Sequence, residues 1–184
     1  MKKRVIDYLY LFGFAGLIVA LDQWTKSVVR QRLAFGLTWA PWDWLEPYAR
    51  FVHWQNTGAA FGLGQNLSLV FMLLTVVVVA MIVYYFPSIP REEWPLRVAL
   101  TLQLGGAVGN LIDRLTQDGS VTDFISIGRF PVFNVADASI SIGVAVLIVG
   151  MWIQERKAES ASDQPEPQAS EPDSSLSVEN LQGE

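Results

Sequence analysis

The stretch VFNVADASISIGVAVLIVGMWI, residues 132–153, contains a single charged residue, Asp137. A helix rising 1.5 Å per residue over such a run spans the roughly 30 Å of a bilayer's hydrocarbon. An ionisable group at its head is expensive to keep and marks a functional site. A second carboxylate, Asp123 in Val121-Thr122-Asp123-Phe124-Ile125, lies 14 residues upstream across a Gly/Pro-containing turn. Paired carboxylates in a low-dielectric site split into one acid and one base, which water-driven hydrolysis requires.

Working outward, three more apolar segments appear. Leu67–Phe86 is 20 residues without a charge. Tyr8–Leu21 follows Lys2, Lys3 and Arg4, and Val98–Ile112 follows Leu96-Arg97. These last two are short, so flanking residues such as Asp22 and Asn110 complete them and stand at the membrane edge. The first segment has the basic start of a signal peptide. No small-x-small cleavage site follows it, and Asp22-Gln23-Trp24-Thr25-Lys26 continues at helical spacing, so it is expected to remain as a span. Four spans put both ends on one side, with Lys2, Lys3, Arg4, Arg91, Arg97, Arg156 and Lys157. Lys26, Arg30, Arg32, Arg50, Arg114 and Arg129 fall on the other. Seven against six leans towards cytoplasmic termini.

Composition narrows the chemistry. The chain is 51% hydrophobic over 184 residues, with mean hydropathy +0.30, too apolar for an ordinary soluble domain. It has no cysteine and one histidine, His53. That removes thiol nucleophiles, disulfides and Cys- or His-rich metal sites, and makes a Ser-His-Asp triad improbable. The net charge of −5 belongs to the tail: residues 154–184 hold eight acidic and two basic side chains, while 1–153 hold ten and eleven. Residues 158–184, rich in Ser, Glu, Pro and Gln, are expected to be disordered. There is no glycine-rich phosphate loop and no basic nucleic-acid patch.

The outer loop, about 33–66, contains Trp39, Trp42, Trp44 and Trp54. These read as an interfacial anchor belt, as a small platform on the bilayer, or as both. Arg50–Trp54 predicts a short strand and Asn56–Gly62 a turn. Polar groups gather at the same membrane face. Asp22 and Lys26 are four apart, as in an ordinary exposed helical ion pair. Asn110 and Arg114 share a helix face, with Asp113 beside them. Gly105, Gly106, Ala107 and Gly109 permit close helix approach. Asn134, three before Asp137, has the spacing of a helix N-cap, and that alone would explain a carboxylate there. Six or seven such residues at one face exceed what anchoring needs.

The blocks LDQWTK, NTGAAFG, GGAVGNLIDR, VTDFI and FNVADASI follow in this order, each at an outer end or loop. Over roughly residues 8–155 the chain resembles the bacterial lipoprotein signal peptidases, signal peptidase II. The resemblance implies a mainly α membrane protein with four transmembrane helices, about 8–30, 67–86, 96–114 and 133–155. It implies a small β-rich periplasmic cradle, about 33–66, and an outer helix or lid, about 115–131, within a peptidase domain of residues 1–157. It implies an inner-membrane aspartic endopeptidase, sensitive to globomycin, that cuts prolipoproteins before a diacylglyceryl-cysteine. Asp123 and Asp137 would be its dyad. Asn56, Asn110, Arg114 and Asn134 would orient substrate or dyad, with Asp22, Lys26 and Asp113 in support. No cofactor, metal or nucleic acid is implied; the partners are the prolipoprotein and membrane lipid, and a monomer is expected.

The main rival is a small transporter or proton relay, which would string polar groups through the membrane, whereas Leu67–Phe86 offers little beyond Ser68 and Thr75. A scaffold using these motifs for packing is a second rival. The absence of a Gly-x-Gly-Asp block argues against other intramembrane aspartic proteases.

Overall fold

The computed structural model describes residues 2–58 and 67–162. In order they form α1 (Lys2–Arg32), β1 (Thr38–Trp39), β2 (Ala49–Asn56), α2 (Ser68–Tyr85), a 3₁₀ turn (Phe86–Ser88), α3 (Trp94–Thr116), β3 (Val121–Ile127) and α4 (Val135–Ser162). The chain divides into two compact units, Met1–Met151 and Trp152–Glu184. The described part of the second is the end of α4, where the Arg156 guanidinium lies 4.3 Å from the Trp152 ring centroid. Residues 59–62 of the expected turn, and 163–184 of the expected disordered tail, lie outside the described residues. Residues 158–162, also assigned to that tail, continue α4 as helix.

Within the first unit the four expected helices are present, and α1 begins six residues earlier than expected. Lys3–Arg32, Ser68–Ser88 and Val135–Arg156 are long and apolar enough to cross a membrane. Their apolar surfaces are turned outward: Leu69, Leu73, Leu74, Val77 and Met81 of α2 are each more than half exposed. A helix apolar all round suits lipid rather than water. α3 is more polar and packs inside. It buries Ala99, Leu104, Gly105, Gly106, Gly109, Asn110 and Asp113. Gly105 permits the approach of α1: a Cβ there would stand 2.7 Å from the Ile18 Cβ. Leu11, Ala15, Ile82, Phe86 and Leu104 form the apolar core joining α1, α2 and α3.

Nearer the N-terminus of α1, Asp7 is buried and takes an ion pair from Arg97 at 2.8 Å and another from Arg91 at 3.4 Å. Arg97 also donates to the Ile89 carbonyl and stands over the Phe86 ring. Two of the basic residues used to orient the chain are therefore held by a carboxylate partner.

The strands form one antiparallel sheet in the order β1-β2-β3. Within the expected helix or lid over 115–131, Val121–Ile127 form a strand, β3, in place of a helix. Val121, Thr122, Ile125 and Ile127 are β-branched, which favours a pleated strand, and β2 supplies a partner edge. α3 ends instead at a turn with Asp118 and Gly119 at φ 51° and 83°. The β2–β3 register slips between Phe51↔Ile125 and Trp54↔Asp123, so Val52 and His53 together oppose Phe124. That bulge explains why two consecutive β2 residues, Val52 and His53, are both buried.

Candidate active site

β3 carries Asp123, buried opposite Trp54 of β2. An isolated bridge, Ile125↔Phe133, lays the chain entering α4 alongside β3. The Phe133 carbonyl accepts from the amides of Phe124 and Ile125, and the Phe133 amide donates back to Ile125. This pairing carries the next residue, Asn134, against Asp123.

Asn134 is fully buried and touches both candidate carboxylates. Its Nδ2 donates to Asp123 Oδ1 at 2.7 Å, while its Oδ1 accepts the Asp137 amide at 2.9 Å. The Asp137 carboxylate returns the contact by accepting the Asn134 amide at 3.3 Å. This is a reciprocal capping box. The ordinary capping explanation of Asp137 is thus true, and it coexists with the pairing. Asp137 Oδ1 accepts from Asn110 Nδ2 at 2.7 Å, and Asp123 Oδ2 accepts from Asn56 Nδ2 at 3.2 Å. Each carboxylate therefore receives side-chain or backbone N–H groups on both oxygens.

Asp123 is pushed up to about 7 from its ordinary 3.8. Burial is the main cause and the neighbouring Asp137 charge the second; Asn56, Asn134 and Lys26 act in the opposite sense. A carboxyl poised there holds or releases a proton near neutrality, as acid–base catalysis requires. Asp123 and Asp137 line one cavity of about 1020 Å³ with Asn56, Asn110, Arg114 and apolar α4 residues such as Ile140 and Ile142. Arg114 donates through Nη2 to the Gly58 carbonyl at 3.2 Å. Its Nε is buried and has no hydrogen-bond partner among the described residues.

The supporting residues lie behind this cavity. Lys26 forms ion pairs with Asp22 at 2.9 Å and Asp113 at 3.4 Å, all three side chains fully buried. Asp22 and Lys26 thus form the i,i+4 pair that their spacing allows, but buried beneath the site rather than exposed on a helix surface. Asp22 accepts the Ala136 amide at 2.9 Å, and Asp113 accepts the Thr122 amide at 2.8 Å. The backbone just before each candidate aspartate is thus tied to a buried carboxylate. Gly109 allows this, because a Cβ there would meet Asp22 Oδ2 at 2.7 Å.

All nine expected site residues fall in or behind this one site. Sequence reasoning missed Gln23 and Arg30. Gln23 donates to Asp22, Asp113 and the Gly109 carbonyl. Arg30 reaches Thr122 Oγ1 at 3.0 Å and Asp113 at 3.5 Å. The signal for Arg30 was present: positions 22, 26 and 30 advance by one helical turn each and share a face of α1.

The family model of signal peptidase II matches residues 14–153. The chain is 36% identical over 167 residues to a lipoprotein signal peptidase of Anoxybacillus flavithermus, covering 89% of this chain and 96% of that one. A lipoprotein signal peptidase of Halalkalibacterium halodurans is 38% identical over 145 residues, covering 77% and 90%. A solved bacterial membrane enzyme superimposes with a TM-score of 0.72 at 28% identity, over 86% of this chain and 93% of that one. A second such structure gives 0.68 at 29% identity, over 77% and 92%.

Proposed function

The chain belongs to the signal peptidase II family and is an aspartic-type peptidase that removes signal peptides from prolipoproteins, and from that premise we propose that Asp123 and Asp137 activate its water. The observation that carries this reading is Asn134, which donates to Asp123 and forms the capping box with Asp137, so that one buried side chain joins the two carboxylates that line one cavity.

Two neighbouring carboxylates share a proton, because ionising both in a buried site is unfavourable. Asp137 is the ionised partner: it heads α4, where the helix dipole favours negative charge. Asp123, pushed up to about 7, keeps its proton in acid and begins to release it near neutrality. Asp137 takes one proton from a water as its oxygen bonds to the scissile carbonyl carbon. Asp123 gives its proton to the carbonyl oxygen. The tetrahedral species collapses with cleavage of the C–N bond. Asp123 recovers its proton from the hydroxyl, and Asp137 passes the water's proton to the leaving amine, so the pair returns to its starting state.

Asn110 and Asn134 spend their amide groups on Lys26, on the aspartates and on each other. Arg114 lines the cavity, and its positive charge suits the negative charge that builds on the substrate carbonyl oxygen before Asp123 protonates it.

The apolar α4 side of the cavity supports a substrate whose cysteine carries diacylglycerol, with its acyl chains left in lipid. The reading extends to four spans, with α3 as the inner one, and to both termini in the cytoplasm of a bacterial cell. The sheet then forms the periplasmic cradle, residues 1–157 form the peptidase domain, and the enzyme acts as a globomycin-sensitive monomer.

The purified full chain should cut a diacylglyceryl-modified prolipoprotein immediately before the modified cysteine, as read by mass spectrometry of both products. The same protein without the lipid should be cut at least about tenfold more slowly, one decade per ~1.4 kcal/mol of lost binding. Equal cutting of both forms, or a cut elsewhere, would contradict the proposed substrate.

A further inference from the structure

The ammonium of Lys26 has three N–H groups and three acceptors. It meets Asp22 Oδ2 and Asn110 Oδ1 at 2.9 Å each and Asp113 Oδ2 at 3.4 Å. An ammonium only donates, so it takes the carbonyl end of the Asn110 amide. The NH₂ end is then left to face Asp137 Oδ1 at 2.7 Å. Reversing that amide would set NH₂ against ammonium and C=O against carboxylate, two repulsive contacts. The same Asn110 oxygen accepts Asn134 Nδ2 at 3.1 Å, which fixes the second amide as well. Asn134 then presents Nδ2 to Asp123 and Oδ1 to the Asp137 amide.

We infer that Lys26 is a positioning residue for the proposed dyad: its ammonium decides which way the Asn110 and Asn134 amides face, and its charge sets the pH range in which the dyad works. The inference rests on Asp123 and Asp137 being that dyad. Lys26 itself borders no part of the cavity and touches neither aspartate; it acts one amide away.

The charges around the dyad make the sign definite. Asp22, Lys26 and Arg30 face it from α1, and Asp113 and Arg114 from α3. Asn56 of β2 is neutral. Against the two carboxylates Asp22 and Asp113 stand three cations, Lys26, Arg30 and Arg114. Removing the Lys26 charge takes one positive charge from beside the dyad and makes it harder to ionise. Removing the Asp22 charge takes one negative charge away and makes ionisation easier. A buried Lys–Asp pair kept only for folding would respond alike to loss of either partner.

The test is the pH profile of kcat/KM, whose acidic limb reports ionisation in the free enzyme. It compares the full-length parent, Lys26→Gln and Asp22→Asn, with diacylglyceryl-modified prolipoprotein as substrate. Both variants break the same 2.9 Å ion pair. Asp22→Asn keeps the side-chain oxygen that accepts the Ala136 amide. Lys26→Gln should move the limb up by about 1 pH unit, the scale of a unit charge acting across one amide at intermediate dielectric. Asp22→Asn should move it down. Shifts of the same sign, or an unmoved limb in both, would overturn the inference. If Lys26→Gln fails to fold, Asp22→Asn decides alone: a limb that stays or rises overturns it. Cleavage by Asp123→Asn and Asp137→Asn would instead sink the dyad itself. Inactive dyad variants together with unmoved limbs would sink only the role of Lys26.

Discussion

Replacing Asn134 separates the two roles that one side chain plays at the head of α4. Asn134→Ala removes the cap on the Asp137 amide and the donor to Asp123. A lost N-cap costs about 1 kcal/mol, and a buried hydrogen bond to the protonated Asp123 about 0.5–1.5 kcal/mol. Together they should lower stability by ~1.5–2.5 kcal/mol. The second contribution alone, at about 1.4 kcal/mol per decade, corresponds to a roughly 2- to 12-fold fall in kcat/KM. Asn134→Asp keeps a good N-cap but sets a carboxylate where Nδ2 now stands, 2.7 Å from Asp123 Oδ1. It should therefore retain most of the cap's contribution and lose more activity than Asn134→Ala. Asn134 also favours the charged form of Asp123. Without that donor Asp123 should hold its proton to higher pH, and the pH dependence of Asn134→Ala should shift upward. Thermal unfolding in detergent and the kcat/KM profile measure the two effects. Asn134→Asp cleaving as fast as the parent would refute the reasoning. So would Asn134→Ala with an unmoved profile and undiminished rate.

Three further outcomes follow from the same geometry. Asp123 binds its proton more tightly when folded, about 7 against 3.8, so the folded state holds more protons between those values and stability should fall as pH rises through that window; Asp123→Asn should flatten that slope of the thermal midpoint. Gly109→Ala would press a methyl against Asp22 at 2.7 Å, and should cost about 1–3 kcal/mol of stability with a drop in kcat larger than that of a surface Ala substitution. Asp7→Asn leaves Arg97 buried without its charge partner and should lower stability by ~3–5 kcal/mol, while kcat/KM of the folded fraction stays within about twofold, within the ~0.5 kcal/mol additivity expected of distant sites.

The helices and the two aspartates were readable because their signals are local. An uncharged run of 20 residues defines α2, a run of 22 with Asp137 as its one charge defines α4, and the Asn134–Asp137 spacing announced a cap that the structure contains. β3 was not readable in the same way. Seven residues containing four β-branched side chains favour a strand weakly, and the edge that fixes it is β2, some 70 residues earlier. The inner placement of α3 was only hinted at by Gly105, Gly106 and Gly109, since small residues permit a close approach without naming the partner. For Asp22 and Lys26 the residues themselves offered only intrahelical spacing, and their support of the site came from the family resemblance, because the Asn110 and Asp113 side chains that Lys26 meets come from α3, more than 80 residues away. The Asp7–Arg97 pair was missed for the same reason, with its partners 90 positions apart.

The most direct test of the account is cleavage of a diacylglyceryl-modified prolipoprotein by the purified full chain, with Asp123→Asn and Asp137→Asn measured beside it. The expected result is processing by the parent and a loss of at least about 10³-fold in each folded variant, as for removal of an acid or base. Processing by either variant at close to the parental rate would contradict the assignment of the water-activating pair to Asp123 and Asp137.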